Sequence, residues 1–311
     1  MAGLDRAAGR FLDLARASAA KSGGEPTLAD LRRATEALAV FAQGELRREI
    51  ETRDATLPGP AGDLPIRFYW PRSAQGKVLP GLIYFHGGGW LSGGLQSHDG
   101  VCRALADEGG CRVIAVAYRL APEHPFPAAL DDGAAAIVKI AAEAGSFAID
   151  PRRIGIAGDS AGGNLAAVLC RTLRDQAPIA LQLLLCPVLD ALGRTASRRA
   201  LATGYFLEER TMERYFEHYR SAGVAPDDPR VSPLRAPDFR GLPPTRIHAA
   251  EYDPLKDEAE LYAKRLVEAG VDARATVHAG MIHHFYGLGD AIPYARIALK
   301  AIGADIREAL A

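Results

Sequence analysis

Residues 153–163 read Arg-Ile-Gly-Ile-Ala-Gly-Asp-Ser-Ala-Gly-Gly, which places a serine between a strand and a helix. The apolar run before the serine predicts a buried strand, and a helical pattern starts near Gly163. So tight a turn needs small residues two positions before and two after the serine, and Gly158 and Gly162 meet that need. The turn lifts the hydroxyl above the sheet and aims the first helical amides at the same point. Ser160 is therefore a candidate nucleophile.

Short apolar runs alternate with helical patterns on both sides of this turn. We predict strands near residues 82–85, 113–116, 154–157, 181–186, 246–250 and 273–279, several of them followed by helices. Continuous apolar strands separated by helices predict a mostly parallel sheet that is covered on both faces. Ahead of this region, residues 47–70 predict an antiparallel hairpin with its turn at 58–63. The fold class is therefore α/β.

Two segments interrupt the alternation and predict a helical cap. Residues 1–45 are helical in pattern, and a capping signal, Thr27-x-x-Asp30, starts the second helix. Residues 190–240 form a polar insertion with one amphipathic helix, whose aromatic stripe favours packing and also suits the roof of a pocket. We interpret residues 1–45 as N-terminal cap helices and 46–311 as a catalytic domain that carries this insertion.

Composition excludes several classes of function. The 311 residues are 48% apolar and 24% charged, which is ordinary for a globular protein with a sizeable core. A net charge of −1 argues against a nucleic-acid-binding surface. No apolar run reaches the length of a membrane span, and charged residues interrupt the N-terminus, so we expect a cytoplasmic protein. The four cysteines have no C-x-x-C spacing, which favours small buried side chains over a disulfide or zinc site.

A glycine run follows the first strand of the predicted parallel sheet. Residues 86–90 read His-Gly-Gly-Gly-Trp, and glycines at a strand end let backbone amides approach a ligand. Beside a nucleophilic serine, such amides hold the oxyanion of a tetrahedral intermediate. A flexible or phosphate-binding loop is the alternative, although no Walker-type Lys-Ser/Thr follows. We interpret His86 as a residue that organises the loop.

The remaining members of a Ser-Asp-His triad are present in the expected chain order. Asp253 follows the strand at 246–250, and His283 follows the strand at 273–279, so both lie at carboxyl ends of strands. Asp253 would orient the imidazole, and His283 would take the Ser160 proton and return it to the leaving group. Asp257 is an alternative acid, and a lone histidine in such a loop is often structural.

Several motifs together resemble the hormone-sensitive-lipase-like family of bacterial esterases. The resemblance covers about residues 45–290 and is carried by residues 86–90, 118–129, 158–164, 228–234 and 251–255. It implies an α/β-hydrolase fold with a helical cap and a carboxylesterase activity that needs no cofactor. We also expect no metal, because no His, Cys or Asp cluster in the sequence has the spacing of metal ligands. The resemblance also implies that the backbone amides of Gly88, Gly89 and Ala161 form the oxyanion hole.

One departure from the family pattern lies beside the predicted base. Relatives usually carry His-Gly-Phe where this chain has His283-His284-Phe285. We expect His283 to be the base and His284 to turn toward the pocket wall or solvent, because neighbours in an extended loop point in opposite directions. The predicted substrate pocket comprises Trp90, Asp159, Phe206, Tyr215 and His284.

The expected activity is hydrolysis of short- to medium-chain acyl esters, with a small-molecule ester as the partner and neither nucleic acid nor membrane. The same triad would serve an amide, lactone or carbamate, and the sequence leaves these open, together with a homodimer. A small-molecule receptor on this fold is the alternative from another class. Plant gibberellin receptors of this kind have lost the catalytic histidine, whereas this chain keeps one at that position.

Overall fold

The computed structural model describes residues 3–22, 27–42, 49–220 and 223–311. Within these ranges, eight strands form one sheet: β1 Ile50–Gly59, β2 Gly62–Pro71, β3 Leu79–Phe85, β4 Arg112–Val116, β5 Ile149–Asp159, β6 Ile179–Leu185, β7 Thr245–Tyr252 and β8 Ala273–Ile282. The α-helices in the described ranges are α1 Arg6–Ser22, α2 Leu28–Ala42, α3 Asp99–Gly109, α4 Ala128–Ala142, α5 Ala161–Thr172, α6 Ala196–Ala200, α7 Glu209–Tyr219, α8 Lys256–Glu268 and α9 Tyr294–Ala309. None of these helices has the length and apolar character needed to cross a bilayer.

The strand order explains where the site forms. The sheet runs β1-β2-β4-β3-β5-β6-β7-β8, and β2 pairs antiparallel with β1 and β4 while β3 to β8 pair in parallel. This confirms the predicted α/β class and the N-terminal hairpin. The chain moves one way from β3 to β4 and the other way from β5 onward, so the order reverses between β3 and β5. Ligands of open α/β sheets bind at such a reversal, outside the carboxyl ends of the strands.

Both faces of the sheet are buried, as the continuous apolar strands predict. Ile83 and Phe85 of β3 belong to the core on one face, whereas Leu82 and Tyr84 belong to the core on the other. This alternation follows from the two-residue period of a strand. The four cysteines are buried free thiols, and burial raises the pKa of Cys170 to about 12, so its thiol stays protonated.

The two predicted cap segments contain helices in the described ranges. Helix α2 begins at the predicted capping box, in which the Thr27 amide donates to Asp30 Oδ2 and the Asp30 amide donates to Thr27 Oγ1. Helix α7 is the predicted amphipathic helix. Parts of the predicted cap and hairpin, residues 1–2, 23–26, 43–48 and 221–222, lie outside the described residues. The division into cap and catalytic domain stays a prediction.

Candidate active site

Ser160 occupies the turn between β5 and α5 with a backbone that side-chain-bearing residues rarely adopt. Its φ is 51° and its ψ is −115°. A Cβ added to Gly158 would lie 2.3 Å from the Gly162 carbonyl oxygen, and one added to Gly162 would lie 2.0 Å from that of Phe85. Any larger side chain at these two positions would push the backbones apart. The predicted steric requirement for glycine is therefore present in the folded chain.

Two later loops bring an imidazole and a carboxylate to the serine. His283 follows β8, and its Nε2 lies 3.1 Å from Ser160 Oγ. His283 Nδ1 lies 2.7 Å from Asp253 Oδ2, while Asp253 Oδ1 accepts a hydrogen bond of 2.9 Å from the Leu255 amide. With its Nδ1 proton donated to the carboxylate, the imidazole turns an unprotonated Nε2 toward the hydroxyl. This arrangement allows proton transfer from serine to histidine.

The alternative acid, Asp257, lies in the first turn of α8 and serves a different contact. Its Oδ2 accepts a 2.7 Å hydrogen bond from the Ser197 amide of α6. An acid in the first helical turn also suits the positive end of the helix dipole. Of the two candidate carboxylates, Asp253 is the one that reaches His283.

The glycine loop after β3 presents unpaired backbone amides. Gly88 and Gly89 have φ values of 112° and 62°, which glycine adopts without strain. Among the described residues, no acceptor is paired with the amide of Gly88 or Gly89. Ala161 is the first residue of α5, and the first amides of a helix have no partner within it. The resemblance implies that these three amides form the oxyanion hole, and that role stays a prediction.

His86 lies beneath this loop. Its ring stacks on Tyr118 with 4.2 Å between ring centroids, and its Nδ1 lies 2.8 Å from the Gly87 carbonyl oxygen. Burial lowers the pKa of His86 to about 4, so the ring is neutral at physiological pH. These contacts agree with a role in organising the loop.

A small cavity opens beside the nucleophile between the sheet and the cap. Residues from the glycine loop, the loop after β6 and the cap line it: Gly89, Trp90, Ser160, Val188, Leu207, Met212, Tyr215 and Phe216. Tyr215 of α7 packs directly on Gly89, where an added Cβ would lie 2.2 Å from the tyrosine ring. Trp90 stacks on Tyr219 at 4.2 Å between centroids. The cap therefore contributes the apolar roof of this cavity.

Two of the five residues predicted to form the pocket, Trp90 and Tyr215, line the cavity, and three do not. Phe206 packs on Phe11 of α1, with ring centroids 5.6 Å apart. Asp159 is the last residue of β5, and its carboxylate accepts a hydrogen bond from the Gly87 amide of the glycine loop, away from the cavity. The His284 side chain lies next to this carboxylate and does not line the cavity either. Its φ of 61° is left-handed rather than extended, which corrects our expectation that it faces the pocket wall or solvent.

The Asp159 carboxylate is at the centre of a buried polar network. Oδ1 accepts hydrogen bonds from Tyr84 OH at 2.6 Å and from the Gly87 amide at 2.8 Å. His98 Nε2 and His284 Nδ1 lie 3.3 Å and 3.5 Å from the carboxylate. Burial alone would raise the pKa of Asp159, but the two imidazoles outweigh it and hold that pKa well below its usual range. Burial lowers the pKa of His284, despite the neighbouring carboxylate.

Among the described residues, the fold assembles two groups of metal-ligand residue types that the sequence spacing did not reveal. One is His98, Asp159 and His284, and the other is Cys186 with Asp253 and His283. In each group the ligand atoms lie within 4.8 Å of one another. The hydrogen bonds described above account for the carboxylates of both groups. Metal independence stays a prediction.

Some residues of the site were missed in the sequence. Val188 follows β6 at the carboxyl edge of the sheet, so the strand-end rule that located Asp253 would have found it. Leu207 precedes the amphipathic helix and carries no motif. His98 also lacks a local signal, because its role depends on Asp159, which is distant in the sequence.

Known proteins resemble this chain in sequence. A family model described as the alpha/beta hydrolase fold matches residues 82–287. The chain is 41% identical over 248 residues to the carboxylic ester hydrolase LipN of Mycobacterium tuberculosis, which covers 77% of this chain and 65% of LipN. It is 37% identical to an ethyl acetate hydrolase of Pseudomonas putida, over 80% of this chain and 84% of that protein.

Solved structures of ester hydrolases have the same fold as this chain. An ester hydrolase from the metagenome of Lake Arreo, complexed with a bipyridine phosphonate derivative, superposes with a TM-score of 0.92 at 39% identity. The superposition covers 98% of each chain. An esterase from the archaeon Pyrobaculum calidifontis superposes with a TM-score of 0.91 at 35% identity, again over 98% of each chain.

Proposed function

The chain belongs to the alpha/beta hydrolase family that includes the hormone-sensitive-lipase-like esterases, and on that premise we propose that it is a carboxylesterase for short- to medium-chain acyl esters. One observation carries the proposal: His283 lies between Ser160 and Asp253, with hydrogen-bonding distances of 3.1 Å and 2.7 Å. The relatives' names, which describe ester hydrolases, support the same reaction class. Our assignment of the family from sequence motifs is confirmed by the family match.

The reaction proceeds through a covalent acyl-enzyme. Ser160 Oγ attacks the ester carbonyl carbon while its proton passes to His283 Nε2, and Asp253 stabilises the imidazolium that results. The tetrahedral intermediate then expels the alcohol, which takes the proton from His283. A water molecule attacks the acyl-enzyme by the same route and releases the carboxylic acid and free Ser160.

The oxyanion of each tetrahedral intermediate would be held by backbone amides. The donors are the N–H groups of Gly88, Gly89 and Ala161, which approach from the glycine loop and from the start of α5. Donors fixed in advance need no reorganisation as charge develops, and one such donor is typically worth about 10²–10³ in turnover. This arrangement supplies the electrostatic stabilisation without a metal ion.

Small acyl groups suit the cavity better than long chains do. Phe216 and Met212 fill its roof from α7, and Tyr215 packs on Gly89. A palmitoyl chain would have to displace this helix. We propose acyl chains of roughly two to eight carbons, a range that rests on the family resemblance and on this closed roof.

Amide, lactone and carbamate hydrolysis remain alternatives, because all of them pass through the same tetrahedral intermediate. The receptor hypothesis is less favoured, since His283 is in contact with Ser160. A cytoplasmic location, a small-molecule ester partner and the absence of a nucleic-acid or membrane partner remain predictions from the sequence.

The test is a series of p-nitrophenyl esters from acetate to palmitate, assayed with the purified chain and with Ser160→Ala. We expect the highest kcat/KM between acetate and octanoate. Loss of a nucleophile in such a triad typically costs on the order of a million-fold in turnover, so Ser160→Ala should be inactive but folded. A fluorophosphonate probe should label the wild type and not the variant. Absence of labelling would favour the receptor, and maximal activity on palmitate would overturn the proposed substrate range.

A further inference from the structure

Helix α2 of the N-terminal cap is docked on the glycine loop through two side chains of one helical face. Arg32 and Thr35 are three residues apart, so they lie on the same face. The Arg32 guanidinium donates to the Leu91 carbonyl oxygen at 2.8 Å, and it pairs with both carboxylate oxygens of Glu123 at 2.9 Å and 2.6 Å. This docking brings the Thr35 hydroxyl to the loop residue that follows Leu91.

That residue, Ser92, connects the helix to the glycine loop. Thr35 Oγ1 lies 2.9 Å from Ser92 Oγ, and Ser92 Oγ donates to the Gly88 carbonyl oxygen at 2.9 Å. Ser92 is fully buried. The single hydrogen of the Thr35 hydroxyl has two acceptors within reach, the Leu31 carbonyl oxygen at 3.0 Å and Ser92 Oγ at 2.9 Å. When Ser92 donates to Gly88, its oxygen is free to accept that hydrogen from Thr35. The hydrogen bonds then run in one direction, from Thr35 through Ser92 to Gly88.

The Gly88 carbonyl and the Gly89 amide belong to the same peptide unit. A trans peptide is planar, and its C=O and N–H bonds point in opposite directions. A carbonyl held on the Ser92 side therefore directs the Gly89 N–H to the other side. Gly89 lines the cavity that contains Ser160, and its amide has no acceptor among the described residues. The Gly88 carbonyl oxygen also accepts from the amides of Leu91 and Ser92, at 3.2 Å and 3.0 Å. The Ser92 hydroxyl is therefore one of three donors that fix the orientation of this peptide and of its Gly89 N–H.

We propose that Thr35 and Ser92 are positioning residues for ester hydrolysis, forming a hydroxyl relay from the N-terminal cap helix that orients the Gly89 amide toward the oxyanion. The proposal rests on the esterase function proposed above. The relay does not touch the substrate. It acts only on the Gly88–Gly89 peptide, so it should affect the transition state, in which the oxyanion is charged, more than substrate binding.

The test compares kcat, KM, melting temperature and the rate of inactivation by a fluorophosphonate in four variants: Ser92→Ala, Thr35→Val, Thr35→Ser and the double variant Thr35→Val/Ser92→Ala. Losing an oxyanion donor outright costs about 10²–10³ in turnover, and a misdirected donor should cost a fraction of that. We expect Ser92→Ala to lower kcat by roughly tenfold and Thr35→Val by roughly threefold, with KM changed less than about twofold. Inactivation by the phosphonate should slow in parallel.

The matched control is Thr172→Val in α5. The Thr172 hydroxyl donates to the Val168 carbonyl at 3.0 Å, and the Thr35 hydroxyl lies at the same distance from the Leu31 carbonyl. Both substitutions remove a hydroxyl in contact with its own helix, but Thr172 does not reach the loop. Thr172→Val should keep kcat, and Thr35→Ser should retain most of it because it keeps the hydroxyl.

Two results would support the relay: a fall in kcat without a matching rise in KM, and a double variant no slower than Ser92→Ala alone, since both changes break one chain. Lower melting temperatures with unchanged kcat would overturn the proposal and leave the contacts merely structural. If kcat falls in Ser92→Ala but is unchanged in Thr35→Val, Thr35 is not part of the relay. The esterase function is tested separately, by the activity of the wild type and its loss in Ser160→Ala. If both are observed, a negative result in the Thr35 and Ser92 variants counts against the relay alone.

Discussion

Replacement of Asp253 by asparagine gives a sharp test of the triad, because the structure fixes how the new side chain would be oriented. The Leu255 amide donates a 2.9 Å hydrogen bond to Asp253 Oδ1, so in Asp253→Asn the amide oxygen must take that position. The NH₂ group then occupies the Oδ2 position, 2.7 Å from His283 Nδ1. Since NH₂ is a donor, Nδ1 must become an acceptor and the proton moves to Nε2. The imidazole then turns an N–H toward Ser160 and cannot accept its proton.

The expected loss follows from this tautomer. In serine hydrolases the corresponding change lowers turnover by about 10⁴, which is about 5.4 kcal/mol of transition-state stabilisation. We expect a similar fall in kcat on p-nitrophenyl acetate, with an unchanged melting temperature because the side chains have the same shape. Asp257→Asn is the matched control, since Asp257 Oδ2 accepts from Ser197 and does not contact the triad. Turnover of Asp253→Asn within tenfold of wild type, or a larger loss in Asp257→Asn, would refute the reasoning.

Three further predictions follow from the site and the cap. His283→Ala should be nearly inactive, whereas His284→Gly should remain active, since glycine tolerates a φ of 61° and His284 does not line the cavity; the opposite ranking in a kcat/KM comparison would reassign the base. Dialysis against a chelator should leave the rate unchanged, and recovery of a lost rate by zinc would contradict metal independence. Arg198→Met should lower the free energy of unfolding by about 3–5 kcal/mol, because it leaves the buried Glu258 carboxylate without its cation. Urea titration measures this change, and a loss below about 1 kcal/mol would show that the ion pair contributes little to stability.

The sequence predicted the features that depend on local steric rules. The glycines around Ser160 and the chain order of the triad could be read directly, because a tight strand–helix turn admits few residues and strand ends share one edge of the sheet. The predicted strand at 273–279 is too short, since β8 continues to Ile282, the residue before His283.

Features that depend on distant contacts could not be read in the same way. The inward turn of His284 depends on Asp159, and nothing in the neighbouring residues sets the sign of its φ. No helix was predicted for Ala128–Ala142, which contains Gly133, a residue unfavourable in a helix interior. The structure explains this glycine: an added Cβ would lie 2.5 Å from Leu169 of α5. Tertiary packing selects the residue against its local propensity.

The left-handed backbone at Ser160 also limits how stable this protein can become. A residue held in such a conformation typically costs about 1–3 kcal/mol, which the rest of the fold must offset. Glycine would relieve this cost, but it would remove the hydroxyl on which the reaction depends. Selection for thermal stability alone would therefore favour an inactive chain at this position. The nucleophile is retained against that preference, so gains in stability must come from residues elsewhere in the fold.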